Sequence, residues 1–170
     1  MSIQEAKDEY SLALKQGLKE ISELESLGRP TNPAVLDELL PEIDSMTMKD
    51  LGLMEIPSER IIGTKSAGRI SAFTPTFKPL MAVNSEFGSK WLSLCDAHLS
   101  DVGIREPITC YEYLGNFYVQ EGNKRVSVLR HFGSPRIPAN VKRIMPPMSD
   151  DPRIKAYYEF LDFYKSSKLY

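Results

Sequence analysis

Apolar residues recur over the first 27 positions at helical spacing. Tyr10, Leu14, Leu18 and Ile21 fall four, four and three residues apart, and Leu24 follows three further on. That is the stripe of an amphipathic helix over Ser2 to Leu27. Gly28-Arg29-Pro30 stops it, and Asn32-Pro33 offers an N-cap and a first-turn proline for a second helix running through AVLDELL to Pro41. The two pieces predict an N-terminal helical hairpin within residues 1–50, a packing or interaction element.

From Leu51 the period changes. LMEIPSERII alternates as an edge strand does. GTKSAGRISAFTPTFKPLM, residues 63–81, has little periodicity and much Gly, Ser, Thr and Pro. A loop of that length in a compact domain is usually functional or mobile, and Lys65, Arg69 and Lys78 make it locally positive. Ser85 to Leu99 reads as a helix with Phe87, Trp91, Leu94 and His98 on one face, which makes Trp91 a core residue and His98 a packing histidine. REPITCYEYLG and NFYVQEG predict two short strands joined through Gly115-Asn116. Asn123 to Phe132 predicts a helix closed by Gly133, and IPANVKRIM a final strand. Ser149-Asp150-Asp151-Pro152 opens a last helix whose stripe of Tyr157, Phe160, Leu161 and Tyr164 reads as a packing face. The expected fold is α/β in the α+β sense: a mixed sheet with packed helices over residues 51–147, flanked by the helical extension and by a C-terminal helix over 148–170.

Composition narrows the functions. At 170 residues and 42% hydrophobic, the chain can bury one sizeable core. The net charge of −2 supplies no basic surplus for nucleic acid, although local patches stay open. Cys95 and Cys110, with His98 and His131 isolated, make no zinc cluster and suggest reduced thiols in the cytoplasm. The polar opening MSIQEAKDEY lacks the apolar core of a secretion signal, and no run of about 18 apolar residues predicts a membrane span.

The candidate chemistry lies in YVQEGNKRVSVLRHFG, Tyr118 to Gly133. A strand that runs into a glycine turn and then a helix aims several backbone N–H groups at one point, where the helix dipole adds positive charge. Gly122 lets a ligand approach the backbone, Asn123 is a possible N-cap, and Lys124 and Arg125 supply formal charge. The pattern points to an anion site at a helix start. The alternative is a structural staple in which Arg125 pairs with a carboxylate of its own chain, Glu121 or Glu106.

The order Gly103-Ile104-Arg105-Glu106-Pro107-Ile108, strand, turn, strand, Gly-Asn-Lys-Arg, helix, Gly133, Ile137-Pro138 and strand resembles the N-terminal domain of the ParB family and the wider ParB/sulfiredoxin superfamily. Gly122, Arg125 and Gly133 match the first Gly, second Arg and closing Gly of that family's G-E-R-R-x-x-A-A-x-x-x-G motif. The likeness spans roughly residues 51–144. It implies a domain that binds phosphates at the Gly-x-x-Arg helix start, with a cytidine nucleotide in ParB proteins and ATP or nucleic acid in other members. Gly122, Asn123, Lys124 and Arg125 would then line the phosphate site, and Arg69 would correspond to the arginine that follows the first strand.

Asn123 stands where ParB proteins keep a glutamate and sulfiredoxins a cysteine, which speaks against metal-assisted hydrolysis and against sulfiredoxin activity. Ser127 replaces a residue that is often basic, and no helix-turn-helix follows the domain. The leading expectation is a regulatory domain binding a nucleotide or other phosphate-bearing ligand, a nucleoside triphosphate with Mg²⁺ among the options, under the Lys65 to Arg69 loop. One alternative is a hydrolase, kinase or nuclease of the same fold, using Glu121 or Glu106 as base or metal ligand. The other is a module binding DNA or protein, including a second copy in a homodimer.

Overall fold

The computed structural model describes residues 3–101 and 103–167. Ser2, expected in the first helix, and Lys168, Leu169 and Tyr170, expected in the last, lie outside the described residues. The architecture is α+β, a mixed six-stranded sheet with helices packed on it. In chain order the strands are β1 (Ala34–Val35), β2 (Thr47–Pro57), β3 (Ile61–Thr64), β4 (Ile108–Tyr113), β5 (Asn116–Glu121) and β6 (Arg136–Met145). They lie in the order β1-β3-β5-β4-β6-β2, so β2 is an edge strand. The single strand expected over LMEIPSERII is broken by a 3₁₀ turn at Ser58–Arg60, and Ile61 and Ile62 belong to β3 inside the sheet. The hairpin β4–β5 and the pair β2–β6 are antiparallel, and the other neighbours are parallel.

Period-two alternation sorts the side chains between the two faces. Ile137, Ala139 and Val141 of β6 pack with Ile108, Cys110, Phe117 and Val119 against one side, whereas Tyr111, Tyr118 and Ile144 pack on the other. The first side is covered by α4 (Asn123–His131) and by Phe73 and Phe77, with α3 (Glu86–Leu99) and then α1 (Ile3–Ser26) packed beyond it. Trp91 is fully buried between α1 and α4, gives its indole N–H to Ser127 Oγ at 3.0 Å, and meets Tyr10 edge-on. His98 stacks on Phe132 at 4.6 Å, the packing role expected of it.

Three further expectations are corrected. The second helix of the predicted hairpin is instead β1, which pairs with β3, followed by the single turn α2 (Leu36–Leu39). Val35 is β-branched and favours a strand, and β3 offers the pair a parallel partner. The sheet therefore begins inside the stretch expected as an extension. In α1 the inward face is Ala6, Tyr10, Ala13 and Gly17, while Leu18 of the predicted stripe is 55% exposed. The cause is close approach, because a Cβ on Gly17 would sit 2.5 Å from the Pro79 carbonyl oxygen. The hairpin turn is Leu114-Gly115 rather than Gly115-Asn116, since Asn116 already pairs with Tyr113.

The long loop is largely pinned. Phe73 and Phe77 enter the core, and Glu20 of α1 accepts from Thr74 Oγ1 at 2.9 Å, from Thr76 and from Lys78 Nζ at 3.3 Å. Asn32 Nδ2 donates to the carbonyls of Ile70 and Phe73, and Tyr10 Oη to that of Met81. Lys78 is thereby balanced, which removes it from the loop's positive surplus.

Cys95 and Cys110 are buried and unbonded. Burial pushes their thiols up to about 11 and about 12, with Glu9 and Glu112 adding to the respective shifts. An unfolded thiol titrates near about 8.5. Folding therefore favours the neutral forms, and their contribution is complete below about pH 8.5 and lost as pH rises towards 12. A urea midpoint that falls progressively above about pH 9 is the expected result. Native thiols should stay inert to Ellman's reagent at pH 8 and react once guanidinium unfolds the chain; ready reaction in the native state would contradict the burial.

Candidate anion-binding site

β5 delivers the chain to Gly122, which has φ 112 and ψ 24 and forms the N-cap of α4. A side chain there would put its Cβ 2.6 Å from Ile108 Cγ2, so glycine is required by both conformation and space. Val126 N–H makes the first helical bond, to the Gly122 carbonyl at 3.0 Å. The N–H groups of residues 123–125 have no helical acceptor and point out of the helix start. At the other end Gly133, at φ 74, and Ser134 close α4 by bonding back to the carbonyls of Arg130 and Leu129, the Schellman arrangement.

Asn123 is not the cap but the first helical residue. Its Oδ1 is buried and accepts no hydrogen bond, a costly condition for an amide beside a polar turn. Arg125 acts as a staple, but onto backbone rather than onto a carboxylate. Its Nη1 donates to the carbonyls of Glu106 at 3.1 Å and Pro107 at 2.7 Å, which ties the entry to β4 onto α4.

The positive charge at the turn comes from three elements. Lys124 lies 5.6 Å from the centre of the Phe87 ring. Its ammonium is pushed below the usual lysine range, first by burial and then by Arg69 and Lys90, with Glu86 opposing. Lys90 Nζ lies 3.0 Å from Glu86 Oε1, and Lys90, Arg69 and Lys124 together hold the Glu86 carboxyl low. Lys90 thus pairs with Glu86, and Arg69 and Lys124 lie within electrostatic reach of the same carboxylate. An open cavity of 410 Å³ lies against the turn, lined by Lys90, Ser93 and Leu94 of α3 and by residues 121–125.

The structure therefore brings Gly122, Asn123, Lys124, Arg125 and Glu121 together at one cavity, with Arg69 near enough to act on the charge of Lys124. Glu121 is exposed and is the carboxylate that lines the cavity. Glu106 is exposed too, and what it gives the site is its carbonyl. Lys65 is not part of the group. Its Nζ binds Asp37 Oδ1 at 2.7 Å and lies 6.0 Å over Tyr111, a residue of the opposite sheet face, and the bond to Asp37 raises its ammonium. Sequence reasoning missed Glu86, Lys90 and Ser93. The signal was their spacing of four and three along α3, a polar strip beside the apolar face. Among the described residues, no three His, Cys, Asp or Glu side chains are grouped to hold a metal ion, and no helix is long and apolar enough to cross a membrane.

In comparisons with known proteins, no protein-family model and no curated protein matches this chain.

Proposed function

We propose that this protein binds a phosphate-bearing ligand, a nucleotide foremost, at the α4 N-terminus and serves as a regulatory binding domain. The observation that carries the reading is that Lys90 and Lys124 line one cavity with the N-terminus of α4, and Arg69 lies within electrostatic reach of Lys124. Like charges held together lower the stability of the empty site, and a bound anion reverses that cost. The buried, unpartnered Asn123 Oδ1 supports a ligand that also carries a donor, such as a sugar hydroxyl. The ParB-like order of motifs supports a nucleotide over inorganic phosphate. Two free buried thiols suit a reducing, cytoplasmic setting. Binding is preferred to hydrolysis because the cavity is lined by one carboxylate, Glu121, which is solvated.

Calorimetric titration with ATP, CTP, GTP and pyrophosphate, each with and without Mg²⁺, tests the proposal. Saturable binding is expected, weakened about tenfold by Lys124→Gln and by Arg69→Gln. Neither substitution should lower the stability of the unliganded protein, and Lys124→Gln should raise it slightly by relieving repulsion. No binding at millimolar ligand would sink the reading. Turnover that disappears in Glu121→Gln while affinity persists would move the protein to the enzyme class. Binding to DNA with a steep salt dependence and no preference for nucleotide would favour a nucleic-acid module.

A further inference from the structure

At the far end of β5 from Gly122, roughly 20 Å along a six-residue strand, the hairpin turn holds Leu114 at φ 52 and Gly115 at φ 87. Glycine adopts this conformation freely, but leucine does so at a cost, and such strain collects at ligand-binding positions. Leu114 lines a cavity of 550 Å³ between the hairpin and α5 (Pro152–Ser167). That volume suits a small organic ligand.

The walls of this cavity are aromatic. Tyr113 and Tyr118 come from the strands, and Tyr157 and Phe160 from α5. Tyr157 is fixed by its hydroxyl, which donates to the buried Glu112 carboxylate with contacts of 2.6 and 2.8 Å to its two oxygens. Phe160, three residues on, is 53% exposed, so the predicted packing stripe of α5 is only half used by the protein core. Arg60 and Arg153 also line the cavity, and no carboxylate does. Arg153 is engaged with Asp151 at 3.0 Å. Arg60 gives its Nε to the Gly115 carbonyl at 3.2 Å, an anchor that leaves its terminal nitrogens beside the turn.

We propose that this cavity binds a small planar aromatic anion, with its ring between the tyrosine and phenylalanine walls and its acidic group on Arg60. Ring faces supply stacking area for a flat ligand, and an exposed guanidinium offers a paired-donor edge to a carboxylate, sulfonate or phosphate. The site lies apart from the Gly122 turn and takes its ligand by different chemistry.

Titration of the intact protein with 8-anilinonaphthalene-1-sulfonate, followed by amide chemical shifts, tests this site. Saturable binding is expected, with shifts concentrated at residues 113–118 and 153–160. Arg60→Gln, a change at an exposed side chain, should weaken the sulfonate about tenfold while leaving neutral N-phenyl-1-naphthylamine within about twofold. Leu114→Gly should raise the melting temperature of the free protein and weaken both probes, because it removes strain and a wall together. Pyrophosphate should not displace the sulfonate. Shifts centred elsewhere, absence of saturation at millimolar probe, or an equal effect of Arg60→Gln on both probes would overturn the proposal.

Discussion

Gly122→Ala is expected to lower stability by about 3 kcal/mol, read as a fall of about 9 °C in Tm or the matching shift in urea midpoint. Two costs add. The backbone at φ 112 lies where side chains with a Cβ are strained. The new methyl would also approach Ile108 Cγ2 to 2.6 Å and Ile108 Cβ to 3.0 Å. Ile108 is 1% exposed at the start of β4, between two strands, and has no room to yield. Relief must come from moving the turn, which would disturb the hold of Arg125 on the Glu106 and Pro107 carbonyls. Gly133→Ala is the control. Its φ is 74, but a Cβ there meets nothing within 4 Å, so backbone strain alone should cost about 1 kcal/mol. Equal losses in the two variants would show that Ile108 does not confine the turn.

How far the sequence could be read depended on which interactions are local. β4, β5, α4, Gly133 and β6 carry their signals within a few residues: alternation, a glycine at each end of α4, and β-branched runs. The structure places them as expected. β1 could not be foreseen, because a two-residue strand exists only through its parallel partner β3, nearly 30 residues away. The true face of α1 was hidden for a related reason. The leucine stripe is what the eye counts, yet packing against the Pro79 loop requires the small residues Ala13 and Gly17. The loop itself looked free because the side chain that grips it, Glu20, sits more than 50 residues upstream.

The candidate site divides along the same line. Gly122 through Arg125 are contiguous and were legible as a turn at a helix start. The job of Arg125 was not, since its partners are carbonyls, and any residue can present a carbonyl. Lys65 and Arg69 sit four apart in one loop and looked equivalent by charge. The fold pairs Lys65 with Asp37 and leaves Arg69 within electrostatic reach of Lys124. Lys90 joins the cluster through α3, which no motif ties to the turn.

Glu112→Ala is expected to have the largest effect of any single polar truncation, about 4 kcal/mol. Glu112 is 4% exposed and Arg143 8%, and Arg143 Nε lies 3.3 Å from Glu112 Oε2. The same carboxylate accepts from the Gly115 N–H at 3.1 Å and from Tyr157 Oη. It therefore joins β6, the strained hairpin turn and α5. Truncation takes from a buried guanidinium its carboxylate and from a tyrosine hydroxyl its acceptor, and water cannot readily replace either. Tyr157→Phe, which deletes one donor and leaves the ion pair, should cost only about 1 kcal/mol. The paired change Glu112→Met with Arg143→Met should recover most of the loss, because two apolar side chains avoid the desolvation of two charges. The loss in Glu112→Ala should persist in 1 M salt, since a pair this buried is little screened. Loss of the exposed Glu86–Lys90 pair should leave the urea midpoint nearly unchanged, and any small effect should fade with salt. A salt-sensitive loss for Glu112→Ala, or one no larger than that of Tyr157→Phe, would mean that α5 and the hairpin are held by their apolar contacts instead.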